Sequence, residues 1–156
     1  DPFTDSTCAQ RRRETAGLPQ PGEPPLCSAA SSDITTEATP AAPGHVAVDV
    51  SIRNTGSAAC SVPAGALIAL YSPEGIAMSF EVHISSADNF VHLEPGASAT
   101  FSIDKQDCTA GDQGRPATVE MQLGGQRVRS PLPPDVDLAW CGRGDPGSKL
   151  TVTLHT

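Results

Sequence analysis

The segment of residues 45–54, HVAVDVSIRN, alternates apolar and polar side chains with a period of two. Val46, Val48, Val50 and Ile52 share one face, and the other face carries polar or small residues. Successive side chains of a β-strand point to opposite faces of its sheet, so this pattern predicts a strand with one buried face. Such strands are typical of antiparallel sheets. The segment is therefore predicted to be a half-buried antiparallel strand.

Other segments carry strand signals of the same kind. Residues 66–71 are apolar on both faces, which predicts a central strand, and the turn residues 72–75 end it. Residues 117–123 alternate cleanly, and Gly124-Gly125 predicts a tight hairpin into a return strand that begins at residues 126–129. Shorter strands are predicted at residues 90–93, 97–103 and 150–154.

Residues 77–84 are predicted to form one strand, with Phe80, Val82 and Ile84 inward and the side chains between them outward. Together these segments make about seven or eight short strands, separated by closely spaced turns and without helical periodicity. The predicted fold is all-β, an immunoglobulin-like antiparallel β-sandwich.

Composition and charge exclude some classes of binding partner. The formal charge of −8 and the pI near 4.8 would repel a phosphate backbone or an anionic lipid surface, so we expect no nucleic-acid partner. The basic run Arg11-Arg12-Arg13 lies in a polar segment and is interpreted as a solvated tail. The longest apolar run, residues 64–71, is too short to cross a bilayer. We expect a monomer without a membrane span.

Three regions are predicted along the chain. Residues 1–4, DPFT, resemble a remnant of a cloning vector, which implies that the native start was removed. Residues 5–26 contain several prolines and almost no large apolar side chains, so they are predicted to be a linker or stalk. The β-sandwich domain is predicted to span residues 27–156.

The five cysteines are widely spaced and include no C-x-x-C pair, which favours disulfides over zinc or thioredoxin chemistry. Disulfides predict an oxidising compartment, so the protein is expected to be secreted or extracytoplasmic, with a possible membrane anchor in the removed N-terminal part. Because five is odd, one thiol is left over. Cys8 is the candidate, either unpaired or in an intermolecular bond.

A family resemblance comes from the order of several motifs. Cys27 and Ile34 precede residues 42–65, APGHVAVDVSIRNTGSAACSVPAG, and residues 91–101, VHLEPGASATF, follow. With two later cysteines, this order resembles the DUF4232 domain, an uncharacterised immunoglobulin-like module of exported lipoproteins and membrane-anchored proteins in high-GC Gram-positive bacteria. The resemblance covers the chain from Cys27 to the C-terminus. It implies no established activity and no functional residue.

Four domain cysteines allow three pairings. In an immunoglobulin-like sandwich the start of the first strand and the end of the second lie at one end, which favours Cys27 with Cys60 and leaves Cys108 with Cys141. The alternative pairs Cys27 with Cys141, since the first and last strands can start from the same end.

The chain contains no G-x-S-x-G, no H-E-x-x-H and no phosphate-binding glycine loop, so we expect no enzyme, no catalytic residue and no cofactor. Met78, His83 and His92 are the candidates for a copper site, but alternation places Met78 inward and His83 outward. We therefore expect surface histidines and a core methionine without a metal.

Two other features have a functional and a structural interpretation. Asp104, Asp107 and Asp112 could bind calcium weakly, but they lack the spacing of an EF-hand loop. Trp140 could stack on a ligand, but beside Cys141 it is predicted to pack on a disulfide in the core, and the alternation of Val136, Leu138 and Trp140 favours this interpretation.

Residues 140–148 read WCGRGDPGS and contain the integrin-recognition tripeptide Arg143-Gly144-Asp145. Glycine and proline in this segment are also what a turn requires, and Pro146 constrains the acid before it. An exposed turn is the first interpretation, and host adhesion is the alternative.

These inferences predict a non-enzymatic, extracytoplasmic binding or interaction module of a bacterial cell-surface or secreted protein. Its partner is expected to be a protein or a component of the cell envelope, and the ligand is unknown. The alternatives are an adhesion module that displays Arg143 to Asp145 and a protein that binds copper or another small ligand.

Overall fold

The computed structural model describes residues 24–86 and 89–156. The predicted vector remnant, Cys8 and most of the predicted linker lie outside the described residues. Residues 24–26, at the end of that linker, run beside Ser61. The Ser61 N–H donates to the Pro25 carbonyl at 2.7 Å, and the Ser61 hydroxyl donates to the Pro24 carbonyl at 2.9 Å.

The described residues are all-β, as predicted. The strands are β1 (Ser32–Thr39), β2 (His45–Asn54), β3 (Cys60–Pro63), β4 (Leu67–Tyr71), β5 (Ala77–Met78), β6 (Glu81–Ile84), β7 (Phe90–Leu93), β8 (Ser98–Gln106), β9 (Thr118–Leu123), β10 (Gln126–Pro131) and β11 (Lys149–His155). Three 3-10 turns, Ala29–Ser31, Ala64–Ala66 and Pro146–Ser148, complete the regular structure of the described part. No described helix is long and apolar enough to cross a membrane.

The strands form three sheets. A five-stranded sheet has the order β1-β2-β8-β11-β6, a four-stranded sheet has the order β10-β9-β4-β5, and β3 pairs with β7. All pairings between strands are antiparallel except that of β11 with β6, which is parallel. The immunoglobulin-like label for this arrangement stays a prediction.

The two larger sheets contribute side chains to one apolar core. Val48, Val50 and Ile52 of β2 are fully buried, which confirms that the alternating segment turns one face inward. Phe101 of β8 and Met121 of β9 are also 0 % exposed. Because the inward residues come from both sheets, the core stabilises one sheet against the other.

The turn between β4 and β5 forms as predicted. The Gly75 N–H donates to the Ser72 carbonyl at 2.9 Å, and the Ser72 N–H donates to the Ile76 carbonyl at 2.9 Å. Gly75 has a φ of 83°, in the left-handed region that glycine adopts without a steric penalty. The hairpin fixes where β5 lies at the edge of its sheet.

The single strand predicted for residues 77–84 is wrong. The chain pairs with the four-stranded sheet as β5, leaves it at Ser79 and Phe80, and joins the five-stranded sheet as β6. Phe80 and Val82 still pack against the core, but Ile84 is 40 % exposed. Alternation within the segment could not show that the two halves belong to different sheets.

Sequence analysis predicted about seven or eight strands, fewer than the eleven of the described residues, because it missed β1 and β3 and predicted β5 and β6 as one strand. β1 reads SDITTEAT, with Ile34 its only large apolar side chain, and forms one edge of the five-stranded sheet. β3 has only four residues, CSVP, and pairs with β7. Edge strands and very short strands bury little apolar surface, so their signal in the sequence is weak.

Two disulfides join the described cysteines. Cys27 pairs with Cys60 and Cys108 pairs with Cys141, and each bond spans 33 residues of sequence. This is the pairing that sequence analysis placed first, and the alternative bond between Cys27 and Cys141 does not occur. Cys27, Cys60 and Cys141 are buried, while Cys108 is half-buried.

Candidate functional site

A groove of about 590 Å³ opens at the edge of the four-stranded sheet, beside β5. One wall consists of residues 72–74 and 76–79, and the other consists of residues 113–115 and Trp140. Ligand sites in proteins commonly have volumes of about 300–1,000 Å³ and are lined mainly by apolar side chains. The groove therefore has the size of a binding site.

The strand wall of the groove carries two large apolar side chains. Ile76, just before β5, is 67 % exposed and is the most exposed large hydrophobic side chain of the described residues. Met78 is half-buried and faces the same groove. An exposed isoleucine beside a groove loses its contact with water when an apolar group binds, which favours binding by the hydrophobic effect.

Main-chain hydrogen bonds hold the opposite wall. The Trp140 N–H donates to the Gly114 carbonyl at 2.8 Å, and the Gln113 N–H donates to the Trp140 carbonyl at 2.8 Å. Gly114 has a φ of 148°, and a Cβ there would lie 3.3 Å from Cε of Met78. Glycine at this position lets the two walls approach each other.

Asp112 supports this wall through two hydrogen bonds. Its Oδ1 accepts from the Gly114 N–H at 2.8 Å, and its Oδ2 accepts from Nε of Arg115 at 2.8 Å. The Gly114 hydrogen bond and then the Arg115 hydrogen bond lower the pKa of Asp112. Arg115 also lies 3.3 Å from Asp137, so charged groups tie residues 112–115 to the segment before Trp140.

The prediction that Trp140 packs in the core is wrong. Trp140 is half-buried and lines the groove, whereas Leu138 and Ala139 are buried. The prediction assumed strand alternation, but residues 132–145 form no strand. Nε1 of Trp140 is buried and has no hydrogen-bond partner among the described residues. A buried donor without a partner costs free energy.

A smaller cavity of about 280 Å³ lies next to this wall and is lined in part by Lys105, Asp107, Arg115 and Asp137. Lys105 is only 2 % exposed, and its Nζ donates to the Gln106 carbonyl at 2.6 Å. Burial lowers the pKa of Lys105, and the nearby carboxylates, with Asp137 the largest contributor, oppose that shift. The ammonium group offsets part of the negative charge that the surrounding loops carry.

The structure places the three copper candidates in three different sheets. Met78 lies in β5, His83 in β6 and His92 in β7. Met78 was predicted to be a core residue, but it is half-buried beside the groove. Among residues 24–86 and 89–156, no group of three or more His, Cys, Asp or Glu side chains is arranged to hold a metal ion. The arrangement does not favour the copper alternative.

The three calcium candidates lie in different surroundings. Oδ1 of Asp104 lies 2.8 Å from Nδ1 of His45, while Asp112 accepts from the Gly114 N–H and Arg115. Asp107 lies in the loop after β8 and lines the smaller cavity. Asp104 and Asp112 therefore have different partners.

The Arg143-Gly144-Asp145 tripeptide does lie in a turn, but the Asp145 side chain is nearly buried. Asp145 is only 9 % exposed. Its Oδ1 accepts from the Gly147 N–H at 2.8 Å, and its Oδ2 accepts from the Thr109 hydroxyl at 2.7 Å and the Ala110 N–H at 3.0 Å. The Thr109 and Gly147 hydrogen bonds lower the pKa of Asp145 to about 2.

This geometry opposes the adhesion alternative, because an integrin must bind the aspartate carboxylate through its metal ion. Arg143 and Gly144 are exposed, but Asp145 joins the turn to the loop after β8. Asp145 also caps the 3-10 turn Pro146–Ser148. An aspartate directly before a proline at the first helical position is a known capping signal, so the sequence could have indicated this role.

Sequence analysis also missed a serine, a histidine and an aspartate that meet on the outer face of the five-stranded sheet. The Ser102 hydroxyl donates to Oδ1 of Asp49 at 2.9 Å and lies 2.8 Å from Nε2 of His155. In acyl-transfer triads the histidine lies between the serine and the acid. Here the serine lies in the middle, so the histidine cannot be oriented by Asp49 while it activates Ser102.

These features define a class of protein: an all-β domain with two disulfides and a groove at a sheet edge. The chain belongs to the family described as Domain of unknown function (DUF4232), whose model matches residues 27–155. This match confirms the family resemblance. No curated protein and no solved structure matches the chain.

Proposed function

We propose that the protein is a non-enzymatic, extracytoplasmic binding module of a bacterial cell-surface or secreted protein, and that the groove beside β5 is its binding site. Two disulfides support the compartment, since such bonds persist in oxidising environments. The ligand is expected to be largely apolar.

The observation that carries the proposal is the exposed Ile76 side chain in the wall of a groove of about 590 Å³. Exposed apolar surface in a cleft of this size is typical of a ligand site. Trp140 lines the facing wall. A ligand that touches both walls would remove Ile76 from water.

Trp140 makes the proposal directly testable, because it is the only tryptophan of the chain. The neutral apolar dye N-phenyl-1-naphthylamine avoids repulsion by the protein's net charge and accepts energy from tryptophan. Bound in the groove, it is expected to quench Trp140 emission. Replacing Ile76 by serine should weaken dye binding by about five- to tenfold, which corresponds to the loss of about 50 Å² of apolar contact.

Ile84→Ser is the matched control. Ile84 is the other exposed large hydrophobic side chain of the described residues, and it lies in β6 of the five-stranded sheet. Its replacement should leave dye affinity unchanged. The proposal fails if the dye does not quench Trp140, or if Ile84→Ser weakens the dye as much as Ile76→Ser does.

A further inference from the structure

The main chain of β5 has one residue whose polar groups face away from its sheet. Met78 pairs with Leu70 of β4, and the Ser72 N–H donates to the Ile76 carbonyl at 2.9 Å. In an antiparallel pair, residues that exchange hydrogen bonds alternate with residues that do not. Ala77 lies between Ile76 and Met78, so its N–H and C=O point to the free side of β5.

The register on the other side of β4 agrees with this assignment. Tyr71, which lies opposite Ala77, accepts a hydrogen bond from the Ala117 N–H at 2.8 Å. The Tyr71 carbonyl therefore points towards β9 and away from β5. β5 is the last strand of its sheet, and within the described ranges no further strand pairs with it. Ala77 is exposed and lines the groove.

The groove thus offers two main-chain polar groups to a ligand, the N–H and the C=O of Ala77. The main chain of Trp140 on the facing wall is already paired with Gln113 and Gly114. A ligand that satisfies Ala77 needs one donor and one acceptor, together with bulky apolar groups.

We infer that the groove binds an extended peptide segment, which adds to the free side of β5 as a short strand. One residue of the peptide exchanges two hydrogen bonds with Ala77, as paired residues of a sheet do. Its apolar side chains contact Ile76, Met78 and Trp140, which line the groove. The inference rests on the proposed function, because it names the ligand class of the same groove.

Other apolar ligands satisfy less of this set. An acyl chain or an aromatic hydrocarbon buries Ile76 but offers no donor to the Ala77 carbonyl. A peptide presents N–H and C=O groups at fixed spacing, so its backbone matches the edge of a sheet regardless of sequence, and its side chains add specificity.

The test uses the wild-type protein and displacement of N-phenyl-1-naphthylamine. The probes are acetylated, amidated pentapeptides in which serine alternates with valine, isoleucine or leucine. The tightest peptide is then N-methylated at each residue in turn. Methylation of the residue that faces Ala77 removes its donor and should weaken binding about tenfold or more. Methylation of the two neighbouring residues, whose N–H groups point away, should have little effect.

The protein side of the same bond is tested with Ala77→Pro, which removes the Ala77 N–H. Proline is tolerated at an edge position whose N–H faces away from the sheet, and thermal unfolding checks that the variant folds. Affinity for the tightest peptide should again fall about tenfold.

The possible outcomes separate the inference from the proposed function. Dye binding without displacement by any peptide, or equal binding of all N-methylated peptides, overturns the peptide inference while the groove remains a binding site. Failure of both the dye and the peptides to bind removes the proposed function and the inference together. Displacement that is sensitive to methylation at one residue supports both.

Discussion

Replacing Cys108 and Cys141 together by serine is expected to lower the free energy of unfolding by about 3–4 kcal/mol, the loop-entropy term for a bond that closes a loop of this size. The bond spans 33 residues. It also joins the two segments of one groove wall, since residues 113–115 follow Cys108 and Trp140 precedes Cys141. We therefore expect the variant to bind the dye more weakly and to shift the Trp140 emission.

The second disulfide provides a closely matched control. Cys27 and Cys60 are also 33 residues apart, so their replacement by serine should cost a similar loop entropy. Neither residue lines the groove. Urea unfolding followed by circular dichroism should show similar losses of stability for the two double variants. Only the Cys108 and Cys141 variant should change Trp140 emission and dye affinity under native conditions, and equal changes in both would contradict the assigned role.

The sequence predicted best those parts of the fold where burial is strong and local. β2 and β9 each bury one face of an alternating strand, so the pattern of apolar side chains reports their orientation directly. Gly75 marks the β4 to β5 turn because its positive φ favours glycine. In such places local chemistry and tertiary packing require the same residues.

The groove could not be predicted from the same patterns. Residues 77–84 alternate as one strand, yet the chain changes sheets at Ser79 and Phe80 to make β5 and β6. The exposure of Ile76 follows from its place at a sheet edge, which the sequence does not encode locally. Trp140 lies in a segment that forms no strand. The alternation of inward and outward side chains, which predicted that Trp140 is buried, therefore does not apply there.

The Arg143-Gly144-Asp145 tripeptide is a second case in which local sequence could not predict a long-range contact. Its glycines and proline predicted a turn, and a turn is present. The sequence could not show that Thr109 and Ala110, more than 30 residues earlier, bind the Asp145 carboxylate. The Cys108 to Cys141 bond joins the same two segments, the loop after β8 and the residues before the turn.

Asp145→Asn is expected to lower the thermal unfolding temperature by several degrees near neutral pH. Oδ2 of Asp145 accepts from Thr109 and Ala110, and Oδ1 accepts from the Gly147 N–H. An asparagine places an N–H₂ group where one carboxylate oxygen was. This group donates and cannot accept, so the donors that the oxygen had bound would lose their acceptor. Buried donors left without an acceptor destabilise the native state. Differential scanning calorimetry measures the effect, and Asp135→Asn, at an exposed position, should leave the unfolding temperature nearly unchanged.

The pH dependence of this variant tests the cause of its effect. Hydrogen bonds lower the pKa of Asp145 to about 2 in the folded protein, below its ordinary value of 3.8. A carboxylate whose folded pKa is depressed stabilises the native state above its unfolded pKa, and this stabilisation is lost as the pH falls through the folded value. The difference in unfolding temperature between wild type and Asp145→Asn should therefore be constant above about pH 5 and shrink between about pH 4 and pH 2. A difference that stays constant down to pH 2 would show that the charge of Asp145 does not stabilise the turn.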